Sequence, residues 1–182
     1  MNKSSIRIIG GRNKSYRIVF KASAILRPTS DRVKETLFSW LQFEIKNKTC
    51  LDLFAGTGSL GFEALSREAK HVTFIEKDIF LFKNILQNVE YLKYEKKVDA
   101  ECNDAFKWLK KNKKRFDFIF LDPPFNNIQY KKLLQEIYQK NILKKDGKIY
   151  LETSKHLSFE FDKSYIILKE KIIGDVRIII LQ

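Results

Sequence analysis

The chain has 182 residues, 44% of them hydrophobic and 13% aromatic, which suits one folded domain and excludes a disordered polymer. A formal charge of +13 at pH 7 points to a polyanionic partner such as nucleic acid, although some of the lysines are expected to be only solvated surface. No apolar run approaches the roughly 18 residues of a membrane span, and "MNKSSIRIIGG" carries no secretion signal, so a cytoplasmic chain is expected. Two cysteines, Cys50 and Cys102, are too few and too far apart for a zinc site or a disulfide framework. Burial is the expected fate of both.

In chain order, "IRIIGGRNKSYRIVF" reads as two β-prone runs around a polar glycine turn, a small N-terminal hairpin. Five of the eight arginines (Arg7, Arg12, Arg17, Arg27, Arg32) fall in the first 32 residues, whereas lysines are spread throughout. In "ILRPTSDRVKETLFSWL" the proline stops an extended segment, Thr29 or Ser30 can cap, and Val33, Leu37, Trp40 and Leu41 recur at helical spacing. From Thr49 the pattern alternates. Strands are predicted in "TCLDLF", "HVTFIE", "KVDAEC", "FDFIFLD" and "GKIYLE", and helices near 59–67, 79–92, 104–111 and 130–140. Such alternation predicts a doubly wound, mainly parallel α/β sheet. The closing "SYIILKEKIIGDVRIIILQ" turns at Gly-Asp and predicts a terminal antiparallel hairpin. The division is a basic hairpin and helix over 1–44 followed by an α/β core over 45–182.

Open α/β sheets bind ligands beyond the carboxyl ends of their strands, so the informative residues are those just after each strand. The first strand ends in Asp52 and the turn Gly56-Thr57-Gly58-Ser59-Leu60-Gly61, a G-x-G-x-x-G. A pyrophosphate would be drawn to that turn and helix start but repelled by Asp52. S-adenosylmethionine has a sulfonium and an ammonium, so a nearby carboxylate helps to hold it. Glu76, at the end of the second strand, suits ribose hydroxyls in either case. Asp104, after the third strand, suits an adenine amine or, more plainly, a helix N-cap.

After the fourth strand comes Asp122-Pro123-Pro124-Phe125. A nucleobase amine is a poor nucleophile because its lone pair is delocalised into the ring. Asp122 can accept one amine hydrogen and the Pro123 carbonyl another, turning that lone pair toward a methyl donor, while Phe125 stacks on the base. The base must be splayed or flipped to reach them. The plain alternative is a rigid turn capped by Asp122. His71 and His156 have no partner at metal or triad spacing and are read as structural.

Taken in order, "IRIIGGR", "LRPTSDRVKETLFSWL", "LDLFAGTGSLGFEALSR", "FIEKD" and "LDPPF" resemble the RsmD-type methyltransferases, over nearly the whole chain. The resemblance implies a Rossmann-like class I S-adenosylmethionine-dependent methyltransferase sheet with an antiparallel terminal hairpin. It implies an acceptor amine at guanine N2 of 16S ribosomal RNA, within an assembled or nearly assembled small subunit, and a monomeric enzyme. By position it assigns the cofactor pocket to Asp52, Phe54, Ala55, Gly56, Thr57, Gly58, Glu76, Lys77, Asp104 and Ala105. It assigns the target base to Asp122, Pro123, Pro124 and Phe125, and RNA contact to Arg12, Arg27, Thr29, Asp31 and Arg32. Ile173 departs from the aromatic residue often found in the last hairpin.

Three rivals stand beside this reading. The D-P-P-F loop also permits methyl transfer to adenine N6 or to a protein glutamine, the glycines permit a nicotinamide oxidoreductase, and the charge permits an RNA-binding assembly factor without catalysis. The basic arm argues against a protein substrate, Asp52 against the dinucleotide, and the intact loop against a purely binding role.

Overall fold

The computed structural model describes residues 3–21, 29–124, 130–157 and 161–182. A short antiparallel hairpin, β1 (Lys3–Arg7) and β2 (Arg17–Lys21), precedes α1 (Asp31–Trp40). Then β3 (Thr49–Asp52), α2 (Ser59–Ser66), β4 (His71–Glu76), α3 (Ile79–Tyr91), β5 (Val98–Cys102), α4 (Ala105–Lys111), β6 (Phe116–Leu121), α5 (Tyr130–Gln139) and β7 (Leu143–Ser154) alternate. The chain ends in β8 (Ile167–Ile173) and β9 (Val176–Leu181).

Strands β3 to β9 form one seven-stranded sheet in the order β5-β4-β3-β6-β7-β9-β8, parallel except where β9 runs against β7 and β8. The chain starts at β3, moves outward to β5, then returns to lay β6 on the other side of β3. The switch point of the sheet is therefore the crevice between β3 and β6. Asp52 closes one of those strands and Asp122 follows the other. That is where an open α/β sheet receives its ligand.

Both faces are covered. One core packs Phe38 of α1, Phe62 of α2 and Ile85 of α3 against Phe74, Phe120 and Tyr150 of the sheet. The other packs Leu109 of α4 and Leu133 of α5 against Leu51, Ile119 and Leu151. Ile8 and Ile18 of the hairpin belong to the first core, so the basic segment shares the apolar interior of the sheet. One interior charge ties the hairpin to α1 and another ties it to α2. Lys34 of α1, wholly buried, donates from Nζ to the Arg7 carbonyl at 2.5 Å and pairs with Asp31 at 3.1 Å. Glu63 of α2, equally buried, accepts from the Ile9 N–H at 2.8 Å and pairs with Arg67 at 2.8 Å.

Two expectations need adjustment. Strand β7 begins at Leu143, four residues before the "GKIYLE" run, because Leu143 pairs with Phe116 across an irregularity in register. Cys102 is exposed rather than buried, since β5 is an edge strand and its last residue lies outside both cores; Cys50, in central β3, is fully buried.

Candidate active site

The glycine turn is clamped between neighbouring strands. Leu53 N–H donates to the Phe120 carbonyl at 3.2 Å and Ala55 N–H to the Ile75 carbonyl at 3.0 Å. Gly58 lies at φ +78°, in the left-handed region, and leads directly into α2. Gly61 serves packing: a Cβ there would meet the Phe74 ring at 2.1 Å, so only glycine lets α2 lie this close to β4. Phe54 is half-buried, and Ala55 and Thr57 are buried beneath the turn.

Asp52 is 1% exposed and accepts from the Gly61 N–H at 3.0 Å. It thus satisfies one of the otherwise unpaired N–H groups in the first turn of α2. That bond does not offset burial, which pushes Asp52 up to about 7 with the nearby Asp122 and Glu76 charges adding to the rise. Glu76, also buried, spans two loops. Its Oε2 accepts from Gly56 N–H at 2.6 Å and its Oε1 from Asp78 N–H at 2.8 Å. Asp104 is an N-cap, accepting from Lys107 N–H at 3.0 Å. Ala105 behind it is buried and Lys77 is exposed.

Across the crevice, Asp122 accepts from the Thr29 hydroxyl at 2.8 Å, a bond spanning 93 residues of sequence. Thr29 is itself buried, and the next residue, Ser30, caps α1 through the Val33 N–H at 3.3 Å. Burial pushes Asp122 up to about 6 against the lowering effect of that hydroxyl. Pro123 is buried and Pro124 exposed; Phe125 lies outside the described residues, as does Arg27.

Sequence reasoning missed the groups that β7 and α5 add. Leu121 lies opposite Leu151, so Asp122 and Glu152 follow side by side at the same edge. Glu152 is buried and accepts from the Tyr150 hydroxyl at 2.8 Å, and Tyr130 donates to its carbonyl at 3.5 Å. Burial raises both tyrosines, with the Asp122 and Glu152 charges contributing. The rule that exposed Asp52, Glu76 and Asp122, looking just after each strand, would also have found Glu152 at the end of "IYLE".

The candidate RNA contacts separate. Arg12 pairs with Glu68, and its N–H donates to the Ser66 carbonyl at 2.8 Å. Ser66 ends α2, which runs back from the glycine turn, and Asn47 N–H donates to the Glu68 carbonyl just before β3. Arg12 therefore sits at the amino-terminal edge of the sheet, roughly one strand length from Asp122. Asp31 is taken up by Arg7 at 3.1 Å and Lys34, while Arg32 is exposed and makes no ion pair among the described residues. Arg7 and Arg17, counted in the arginine-rich N-terminal stretch but not among the assigned RNA contacts, lie directly opposite each other in the hairpin. They line a cleft with Ser5, Thr29, Ser30 and Asp31, on the Asp122 side of the molecule.

Among the described residues, no lysine or arginine pairs with Asp52, Glu76 or Asp122, and no group of side chains could hold a metal ion. Among the described residues no helix is long and apolar enough to cross a membrane. A glycine turn flanked by buried, mutually repelling carboxylates fits a ligand with cationic groups and ribose hydroxyls better than a pyrophosphate.

Comparison with known proteins agrees with that donor set. A family described as "Conserved hypothetical protein 95" matches residues 6–182. The ribosomal RNA small subunit methyltransferase D of Haemophilus influenzae is 41% identical over 177 residues, covering 96% of this chain and 92% of its own. The solved structure of Escherichia coli YhhF, described as a methyltransferase, superposes with a TM-score of 0.87 at 31% identity and 98% coverage of both chains. A Thermus thermophilus 16S rRNA N2 G1207 methyltransferase, solved with AdoMet and guanosine, covers all of this chain and 50% of its own. Its TM-score is 0.75 at 19% identity, a likeness of fold alone. The sheet is the Rossmann-like sheet of the methyltransferases it superposes on, and two solved structures that share the fold are described with SAH or with AdoMet bound. With one family spanning nearly the whole chain and a relative 41% identical across it, the chain belongs to the ribosomal RNA small subunit methyltransferase D (RsmD) family.

Proposed function

We propose that this chain methylates the exocyclic N2 amine of a guanine in small-subunit ribosomal RNA, acting as a cytoplasmic monomer. The observation that carries the reading is the placement of Asp122 and Pro123 across the β3/β6 crevice from Asp52 and the glycine turn. Bound S-adenosylmethionine supplies an electrophilic methyl group. Asp52 balances its cationic amino-acid end, Glu76 meets its ribose, and Asp104 is placed for its adenine. Asp122 and the Pro123 carbonyl each accept one hydrogen of the target amine, and Asp122 takes up the proton the amine loses on methylation.

The described residues around Asp122 favour guanine over adenine. Asp122 and Glu152 bring carboxylate acceptors to one edge. Guanine offers the N–H donors of N1 and N2 there, whereas adenine would offer the bare N1 acceptor beside its amine. Docking of the RNA backbone is assigned to the Arg7–Arg17 cleft and to Arg32. Arg7, paired with Asp31 in the same cleft, and Arg17, bonded to the Ser5 hydroxyl, face each other across the hairpin, where both guanidiniums can share one phosphate.

The test is methyl transfer from labelled S-adenosylmethionine to small subunits, and to bare RNA, from cells lacking this gene, followed by nucleoside identification. N2-methylguanosine is the expected product. N6-methyladenosine would move the reaction to the other amine, and no methylated nucleoside on either substrate would leave the binding-only reading.

A further inference from the structure

The hydroxyl of Thr29 and the carboxylate of Asp122 meet at 2.8 Å although one belongs to the segment entering α1 and the other follows β6. Thr29 is 6% exposed, and the residue that follows it, Ser30, is committed to capping α1. A carboxylate has two oxygens, and Oδ2 is the one Thr29 occupies. We propose that Thr29 is a positioning residue for Asp122: it holds Oδ2 so that Oδ1 is the oxygen presented to the substrate amine. The proposal rests on the role given to Asp122 above, and it moves Thr29 from RNA contact to the catalytic carboxylate.

The surroundings show why such a partner is needed. Asp122 is faced by Asp52 from β3, by Tyr130 from α5 and by Tyr150 and Glu152 from β7, with Glu76 of β4 beyond Asp52. None of these is a cation. Burial and neighbouring negative charge both favour a protonated Asp122, and a protonated carboxyl can no longer accept the amine hydrogen at both lone pairs. The Thr29 hydroxyl opposes this by donating to the ionised form. Since Thr29 also lines the cleft between Arg7 and Arg17, RNA seated there contacts the same short segment that holds the acid.

The experiment compares the wild type with T29V, T29S and T29A for kcat and KM between pH 5.5 and 9, and titrates the Asp122 carboxyl by carbon NMR, with D122N for assignment. Cofactor affinity measured by calorimetry serves as the control for folding. Expected for T29V and T29A are a several-fold lower kcat at pH 6.5, near-wild-type KM for S-adenosylmethionine, and a rise of kcat displaced to higher pH. The Asp122 titration should move up in parallel, and T29S should restore both. Superimposable titrations and rate profiles for wild type and T29V would overturn the proposal, as would T29S behaving like T29V, which would make the threonine methyl the important group. If no variant, including wild type, methylates guanine but the Asp122 titration still moves with T29V and not T29S, the Thr29–Asp122 relation stands and the substrate assignment is what fails.

Discussion

The two edges of the sheet treat their carboxylates in opposite ways. At the amino-terminal edge three acids, Asp117, Asp99 and Glu68, meet bases. Asp117, at the start of β6, accepts from Thr49 N–H and hydroxyl and pairs with Lys144 at 2.8 Å. Burial works against it, yet Lys144 and Thr49 hold Asp117 down to about 2. Asp99, at the start of β5, lies between Lys114 at 2.6 Å and His71 at 2.9 Å, and Glu68 binds Arg12 and Lys46; both acids are held below their ordinary values. At the carboxyl-terminal edge Asp52 and Asp122 pair with no lysine or arginine among the described residues and are pushed up. Those three acids are neutralised by the chain itself, and these two are not.

The sign of the pH dependence follows. Asp52 and Asp122 bind protons more tightly folded than unfolded, so they favour the fold at acid pH and oppose it increasingly as pH rises from about 4 toward 7. Asp117 does the reverse: its contribution is complete above its unfolded value near 4 and is lost as pH falls toward about 2.

The contrast can be broken most forcefully at Asp122. Asp122→Ala should lower kcat for methyl transfer by roughly 10³-fold, about 4 kcal/mol of transition-state stabilisation, while calorimetry finds cofactor affinity within a few-fold of wild type. Loss of cofactor binding instead would place Asp122 in the cofactor pocket rather than at the base. Asp52→Asn should weaken S-adenosylmethionine binding by roughly 10- to 100-fold, the loss of one partly buried charge pair. It should also make the cofactor-free protein more stable than wild type at pH 8 and no more stable at pH 4, as read from thermal midpoints. For wild type, S-adenosylmethionine at a hundredfold excess over its pH 8 dissociation constant stabilises by about 2.7 kcal/mol, and the same concentration stabilises less at pH 6; NAD gives no shift. The double change Arg7→Ala/Arg17→Ala should flatten the salt dependence of RNA binding by about 1.5 in log–log slope, while Arg12→Ala leaves it unchanged. An equal effect from Arg12 would show that RNA reaches the opposite edge. Asp117→Ala should cost roughly 1–2 kcal/mol in urea unfolding and leave cofactor affinity untouched.

What could be seen in advance depended on distance along the chain. Local patterns were readable: the alternation from Thr49 onward, the start of α1 and the closing hairpin are short-range consequences of apolar spacing and turn residues. So were the acids at strand ends, because the doubly wound sheet sends every carboxyl end to one edge. Relations between distant segments were not. Nothing near Thr29 reveals that its hydroxyl meets Asp122, and nothing near Lys34 reveals that a lysine on a helix is wholly enclosed. Arg12 and Arg7 look equivalent in the basic arm, and only the hairpin register and the direction of α2 send them to opposite edges. Asp104 had two readings, and its capping bond answers only one of them.

The shared interior of the hairpin and sheet bears on how such enzymes acquire new targets. Ile8, Ile18, Leu37 and Phe38 fill the same core as Phe62, Phe74 and Tyr150, Lys34 ties the hairpin to α1, and Glu63 of α2 holds the hairpin from inside the α/β core. The described residues of the hairpin and α1 therefore share one interior with the sheet. Transplanted to another sheet, Ile8, Ile18, Val33, Leu37, Phe38 and Leu41 would need a matching apolar seat, and the Ile9 N–H a buried carboxylate in place of Glu63. Changes of substrate in this lineage should come from side-chain replacement on the outer face of the hairpin, not from exchange of the segment as a unit.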